Sequence, residues 1–182
     1  MDAGAFRTAR LDLGLLEDGD EALYLALHAD PRVMAHIGPA QPEAVARRGF
    51  AAACRLNRDP AARERRWVVT ALADGGPVGL VGLSKRDGSA GAELGVMLVP
   101  GVHGNGLARE LCDAVFERVF GPAARVPLTR VWARHAPGHD AAARVLAAAG
   151  MTRDADMDGA VTWGIERARW LATRRGSLAC VG

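Results

Sequence analysis

The segment with the most chemical content runs Gly101-Val102-His103-Gly104-Asn105-Gly106-Leu107-Ala108-Arg109. Half of its first six residues are glycine. It follows a strand-forming run, Ala92 to Val99, and precedes a segment with apolar residues at helical spacing. The first turn of a helix has backbone N–H groups with no partner inside the helix, and its dipole favours negative charge. Glycines let that backbone close on an anion and turn its amides inward. The pattern suits a pyrophosphate. A plain strand-to-helix turn with no ligand uses the same residues.

Groups able to move protons stand on both sides of this turn. Glu93 is a carboxylate flanked by apolar residues on the preceding strand. Strand alternation puts Glu93, Gly95 and Met97 on one face. Glu93 reads as a base only if that face lines a site, and otherwise as a surface or salt-bridged glutamate. His135 and His139 are further candidates, since only histidine titrates near neutrality without help, and His103 is a third but lies in the turn itself, at the phosphate end. Each also reads as a plain loop residue.

Two phosphate loops are excluded by their residues. A Walker loop needs Gly-Lys-Ser or Gly-Lys-Thr, and neither is present here. A dinucleotide fingerprint needs a third glycine or alanine where Arg109 stands.

The elements that would hold these groups follow in order. Leu11, Leu13 and Leu15 alternate with Asp12 and Gly14, a half-buried strand. Asp18 or Asp20 can cap a helix through Tyr24 and Leu27, which stops at Asp30-Pro31. Pro42 suits the first position of a second helix to about Leu56. Trp67 to Leu72 and Pro77 to Leu83 read as a hairpin around Asp74-Gly75-Gly76. A turn at Asp87-Gly88 leads into Ala92 to Val99. Leu107, Leu111, Ala114, Val115 and Val119 share one helix face, and Gly121-Pro122 ends it. Thr129 to Ala133 reads as a strand and Ala141 to Ala149 as a helix capped by Asp140, with Gly150 at its C′ position. Ala160 to Ile165 is a last strand, Glu166 to Thr173 a helical tail, and Gly176 to Gly182 a frayed end. Helices interleaved with adjacent strands imply an α/β fold, a mixed sheet covered by helices, in one domain over residues 1–182.

Composition narrows the function classes. The 182 residues suit one core,. A net charge of +2 argues against a dedicated nucleic-acid partner,. Arginines cluster at Arg63, Arg65 and Arg66, which reads as a solvated face. No stretch is long and apolar enough to span a bilayer, so no membrane partner is expected. Three widely spaced cysteines, Cys54, Cys112 and Cys180, argue against disulfides or a structural metal site and fit a reducing cytoplasm,.

Taken together, these residues resemble the GNAT acetyltransferase superfamily, and within it the branch that includes the ribosomal-protein N-terminal acetyltransferases. The family's motif Gln/Arg-x-x-Gly-x-Gly/Ala is matched by His103-Gly104-Asn105-Gly106-Leu107-Ala108 at Gly106 and Ala108, with His103 in the first position. Ala92-Glu93-Leu94-Gly95 and Leu98-Val99-Pro100 resemble the preceding strand. Thr8-Ala9-Arg10-Leu11-Asp12-Leu13 resembles the first strand, and Asp30-Pro31-Arg32-Val33-Met34 the segment after the first helix. Ala143-Arg144-Val145-Leu146 with Gly150-Met151 resembles a second cofactor-contacting helix. The likeness runs over about residues 8–170, leaving 171–182 as a tail.

The resemblance implies a mixed, mostly antiparallel sheet that splays into a V-shaped cleft, with acetyl-CoA in the cleft and no metal. Its pantetheine arm would bond main-chain atoms at Met97, Leu98 and Val99 as an added strand. Its pyrophosphate would sit on the amides from Gly104 through Asn105, Gly106, Leu107 and Ala108 to Arg109. His139 stands where the family usually has asparagine, Ala142 where many relatives have serine, and Gly14 where the branch has arginine. The only tyrosine, Tyr24, lies in the first helix. Cofactor contacts are also expected from His103, His139 and Arg144.

The expected activity is acetyl transfer to a primary amine, either a protein N-terminus or a small molecule. A backbone N–H near Leu98 or Val99 would polarise the thioester carbonyl, and Glu93 is the candidate base. Met34, Ile37, Phe50, Trp132 and Trp163 are candidate acceptor walls. Asp154, Asp156 and Asp158 are candidate contacts for a cationic acceptor. The arginine-rich, apolar tail from Trp163 to Trp170 suggests a homodimer contact. The competing reading is a non-catalytic acyl-CoA-binding or regulatory module with the same fold.

Overall fold

Alternation sets the first long strand, with Leu11 and Leu13 fully buried and Asp12 between them partly exposed,. In the computed structural model, which describes residues 4–85, 91–124 and 127–179 (for 175–179 the backbone only), this strand is β2 (Leu11–Leu15). A two-residue strand, β1 (Phe6–Arg7), pairs with its outer edge. A short 3-10 turn then leads to α1 (Glu21–Ala29). Next come α2 (Pro31–Met34), α3 (Glu43–Arg58), β3 (Glu64–Ala71), β4 (Pro77–Ser84) and β5 (Gly91–Leu98). The second half holds α4 (Leu107–Phe120), β6 (Arg130–His135), α5 (Asp140–Ala148), β7 (Thr152–Arg153), β8 (Val161–Glu166) and α6 (Arg167–Ala179).

The strands form one eight-stranded sheet in the order β1-β2-β3-β4-β5-β6-β8-β7. Only β5 and β6 run parallel; the other neighbours are antiparallel. Alternate strand residues feed two cores. One face carries Trp67, Val69, Val81 and Leu94, which pack with Leu111 and Phe116 of α4, Leu146 of α5 and Trp170 of α6. The other carries Val68 and Leu80, which pack with Tyr24 and Leu27 of α1 and Phe50 and Ala53 of α3. Helices therefore cover both faces, as the mixed-sheet reading requires.

Several boundaries differ from the sequence reading. Pro42 is the N-cap of α3, not its first residue, and the helix runs to Arg58. Its buried stripe is Ala46, Phe50, Ala53 and Cys54, while Val45 is 41% exposed. Asp30-Pro31 ends α1 as expected but also starts α2, because the Asp30 carboxylate accepts the Arg32 N–H at 2.8 Å,. Asp140 is the first residue of α5, and the capping position belongs to His139. Gly150 holds a left-handed φ of +83°, as its C′ place demands,. The tail helix α6 extends past Gly176 to Ala179. The Asp87-Gly88 turn and Cys180 lie outside the described residues.

The basic cluster is a solvated face only in part, with Arg63 exposed. Arg65 is 1% exposed. Its guanidinium donates to the carbonyls of Leu56, Ala62, Glu64 and Asp59 at 2.7 to 3.2 Å, which ties the end of α3 to β3. Arg66 donates to Tyr24 Oη at 3.0 Å. Tyr24 is thereby a packing residue of the α1–α3 layer, stacked on His28 with ring centroids 4.0 Å apart.

Candidate active site

The cleft begins where β5 and β6 part. Their parallel pairs are Gly91 with Arg130, Ala92 with Val131 and Glu93 with Trp132. Past Glu93, β5 continues to Leu98 and β6 to His135 without further pairs. On its other edge β5 stays paired with β4 throughout, Gly79 against Leu98 and Ser84 against Glu93.

That register decides which main-chain groups face the cleft. The Val99 N–H donates to Val78 O at 2.9 Å. In an antiparallel pair the groups alternate in direction, so Met97 and Gly95 also turn toward β4. Leu94, Val96 and Leu98 turn the other way: the Leu94 N–H closes the last pair with β6, and Val96 and Leu98 face the gap,. Of the expected main-chain contacts, Leu98 alone faces the cleft; Met97 and Val99 are paired into the sheet. The Leu98 carbonyl accepts from His103 Nε2 at 3.0 Å, which leaves its N–H on the cleft side.

The glycine turn follows directly. Pro100–Val102 forms a 3-10 turn, and Gly104 and Gly106 hold left-handed φ values of +80° and +76°. Gly106 is the N-cap of the 14-residue α4 and supplies no side chain to close it. Among the described residues, no amide from Gly104 to Arg109 donates to a backbone carbonyl. This leaves a row of main-chain donors at a helix N-terminus, where the sequence reading expects a pyrophosphate. Arg109 is a solvated helix residue beside Asp113, at 3.7 Å.

A clamp from the segment between β1 and β2 holds this turn from behind. Glu110, in α4, accepts from Thr8 Oγ1 at 2.5 Å, from the Arg10 N–H at 3.0 Å and from Arg10 Nε at 2.6 Å. Arg10 NH1 donates to the Asn105 carbonyl at 2.9 Å. Partial burial pushes the Glu110 carboxyl up, but the hydrogen bonds from Thr8 and Arg10 outweigh this and hold it below the usual range,. The sequence pattern drew attention to neither Arg10 nor Glu110 in this role. A groove of about 610 Å³ lined by Ala9, Arg10, Leu72, Asn105 and Leu107 borders the clamp.

Titratable groups gather at the fork and along β6. Glu93 Oε1 accepts from Arg134 Nε at 2.8 Å, and Arg134 lies over the Trp132 ring at 5.9 Å. His135 has both nitrogens engaged. Trp163 donates its indole N–H to Nε2 at 3.0 Å, so the ring proton sits on Nδ1, facing Ala136 O at 2.8 Å,. His139 stacks on His36 and meets His135 edge-on at 6.0 Å. Burial, then the neighbouring His36, His135 and His103, lower the His139 pKa below the usual histidine value. Arg144 stands exposed on α5.

Several expected acceptor contacts are structural. Met34 and Phe50 are buried, at 3% and 6% exposure, and belong to the core rather than a wall. Ile37 is 58% exposed, and Trp132 and Trp163 are partly buried. Asp154 pairs with Arg130, and Asp156 with Arg153 at 3.1 Å, so both carboxylates have cations within the chain. Trp170, expected at an interface, is buried against Phe120 at 5.8 Å. Among the described residues no group of His, Cys, Asp and Glu could hold a metal ion, and no helix is long and apolar enough to cross a membrane.

Residues 10–152 match the family model described as the acetyltransferase (GNAT) domain. The chain belongs to the GNAT acetyltransferase family. As a GNAT domain it is an acyltransferase, and solved structures agree on the fold. A GNAT-family acetyltransferase from Bacillus anthracis superposes with a TM-score of 0.75 at 19% identity, over 90% of this chain and 99% of that one. The spermidine N-acetyltransferase of Vibrio cholerae, in complex with CoA and spermine, gives 0.74 at 20% identity, over 90% and 99%. The ribosomal-protein-S5-alanine acetyltransferase of Vibrio fischeri gives 0.71 at 17%, over 91% and 98%. A search among curated proteins found no match. In this GNAT domain the sheet opens between β5 and β6, next to the turn before α4.

Proposed function

We propose that this GNAT domain transfers an acetyl group from acetyl-CoA to a primary amine by direct transfer. One observation carries the reading. Main-chain donors line the site in two stretches, Val96 and Leu98 on the cleft edge of β5 and the amides of Gly104–Arg109 at α4. An amide-bearing arm fits the first part as an added strand, and a diphosphate fits the second. Acetyl-CoA supplies the acyl group in activated form, as a thioester.

The chain's own residues then have distinct tasks. The Leu98 N–H polarises a carbonyl laid against the strand. The amides from Gly104 to Arg109 hold negative charge. Glu93, at the fork, accepts the amine's proton directly or through water, and Arg134 fixes its carboxylate,. Holding both reactants in one cleft supplies much of the rate of such a direct transfer.

The acceptor is a protein N-terminus or a small amine. A polycation is the less favoured form, because Glu93, Asp154 and Asp156 are each paired with an arginine. The sequence of residues 8–13 and 30–34 supports the branch of ribosomal-protein N-terminal acetyltransferases.

The test is thiol release from acetyl-CoA against a panel of peptides, amino acids, polyamines and aminoglycosides, alongside melting with CoA. Stabilisation by CoA and thiol release with at least one amine are expected. No stabilisation at large CoA excess overturns the cofactor assignment. Stabilisation without release across the panel favours the non-catalytic acyl-CoA module.

A further inference from the structure

The turn before α4 is held at its start by the His103–Leu98 contact, but its second half, from Gly104 on, has no group of its own to hold its shape. Its glycines at positions 104 and 106 adopt left-handed conformations, and its N-cap has no side chain. Its rigidity must come from outside the loop. The structure offers one such source, the side chains of Thr8, Arg10 and Glu110.

We propose that Arg10 and Glu110 are positioning residues that orient the phosphate-binding turn. The proposal rests on the acetyl-CoA reading above. A trans peptide is planar, with its C=O and N–H pointing in opposite directions. Arg10 NH1 fixes the Asn105 carbonyl at 2.9 Å. The N–H of Gly106, in the same peptide plane, is therefore turned away from Arg10. Arg10 thus sets the direction of a donor that it never touches. The Glu110 N–H closes the other end, donating to Gly106 O at 3.2 Å.

Charge makes the pair interdependent. A bare carboxylate in the first turns of α4 would repel an anion held at the same helix end. Arg10 Nε, 2.6 Å from Glu110 Oε2, neutralises it. Glu110 in turn keeps the guanidinium behind the turn, where its NH1 reaches the Asn105 carbonyl. Thr8 completes the frame: its Oγ1 donates to Glu110 and accepts from the Leu11 N–H at 2.9 Å. The start of β2 is thereby tied to a turn almost 100 residues later in the chain.

The variants are Arg10→Met, Glu110→Gln and the double variant, with the CoA dissociation constant measured by calorimetry. Arg10→Met loses the carbonyl anchor and exposes the Glu110 charge, so CoA binding weakens roughly tenfold or more, the scale of one charged hydrogen bond. Glu110→Gln alone weakens it less. The double variant binds CoA better than Arg10→Met, because the unpaired carboxylate is gone. A purely structural defect is separated by kcat/KM for acetyl-CoA against acetyl-pantetheine, which lacks the diphosphate. The preference for acetyl-CoA should shrink about as much as CoA affinity does. Should Arg10→Met fail to fold, Arg10→Lys keeps the charge but cannot serve Glu110 and Asn105 together, and the same narrowing of preference is expected. An unchanged preference in every folded variant, with wild type binding CoA normally, overturns the clamp and leaves the acetyl-CoA reading intact. A wild type that binds no CoA is instead a failure of that reading.

Discussion

His36 and His139 lie face to face, their ring centroids 4.0 Å apart and their planes 14° from parallel. The stack joins the turn after α2 to the N-cap of α5. Two imidazolium ions in this contact would repel. Burial, and then the charges of His36, His135 and His103, lower the His139 pKa below 6.5. His28, on α1, is also lowered, by burial first. Below 6.5 the unfolded chain takes up protons that the folded chain refuses, so folding stability is full above that value and is lost as pH falls through the folded values,. Melting temperature should stay level from pH 8 to about 7 and decline below about 6.5. His139→Asn should flatten part of the decline, the remainder belonging to His28. An equally steep decline in that variant would remove His139 from the account.

Cys112 is 1% exposed, and burial pushes its thiol up to about 12. Cys54 is also buried and raised, by burial first. Neither should react with a thiol reagent in the folded protein, and both should label at the rate of unfolding. Fast labelling of either under native conditions would contradict their burial.

A Cβ on Gly79 would lie 2.2 Å from the Met97 carbonyl and 2.7 Å from a Leu98 methyl. The contact is with backbone, so it cannot be relieved by a rotamer. Gly79→Ala should destabilise the protein by about 1–3 kcal/mol in urea unfolding, the usual cost of overpacking. It should also weaken CoA binding, because it displaces β5 at Leu98. A variant of wild-type stability would show that the two strands separate freely there.

Glu93→Gln should lower turnover roughly a hundredfold, the scale of general-base catalysis, and leave CoA affinity within about twofold. Unchanged turnover would remove Glu93 from the chemistry and leave it as the ion-pair partner of Arg134.

Gly106→Trp should abolish CoA binding in calorimetry by covering the turn. Gly106→Ala adds a side chain at φ +76° and should cost about 1–2 kcal/mol in stability,. Normal CoA binding by the tryptophan variant would move the phosphates elsewhere.

What was legible in the sequence was local. The α4 stripe from Leu107 to Val119 and the glycines before it carry their signals within one or two turns. The V-shaped cleft was legible only through family resemblance, since no residue announces where β5 and β6 stop pairing. Arg65 reads as a surface arginine beside Arg63 and Arg66, and only the converging carbonyls at the end of α3 explain its burial. The Asp30-Pro31 pair signalled a helix end and concealed a helix start, because proline suits the first turn of α2,. Arg10 and Glu110 meet across 100 positions, a distance at which periodicity says nothing. The direction of the Leu98 amide depends on register with β4, which no single strand encodes.

The parting of β5 from β6 divides the sheet into two leaves sewn together at three register positions. On the reading proposed above, a thin molecule laid in the gap would act as extra thread, bonding one leaf while its anionic end grips the helix that backs both. Slow amide exchange at Val96 and Leu98 would then report the supply of that molecule, and a protein copy starved of it would be the first to open and be degraded.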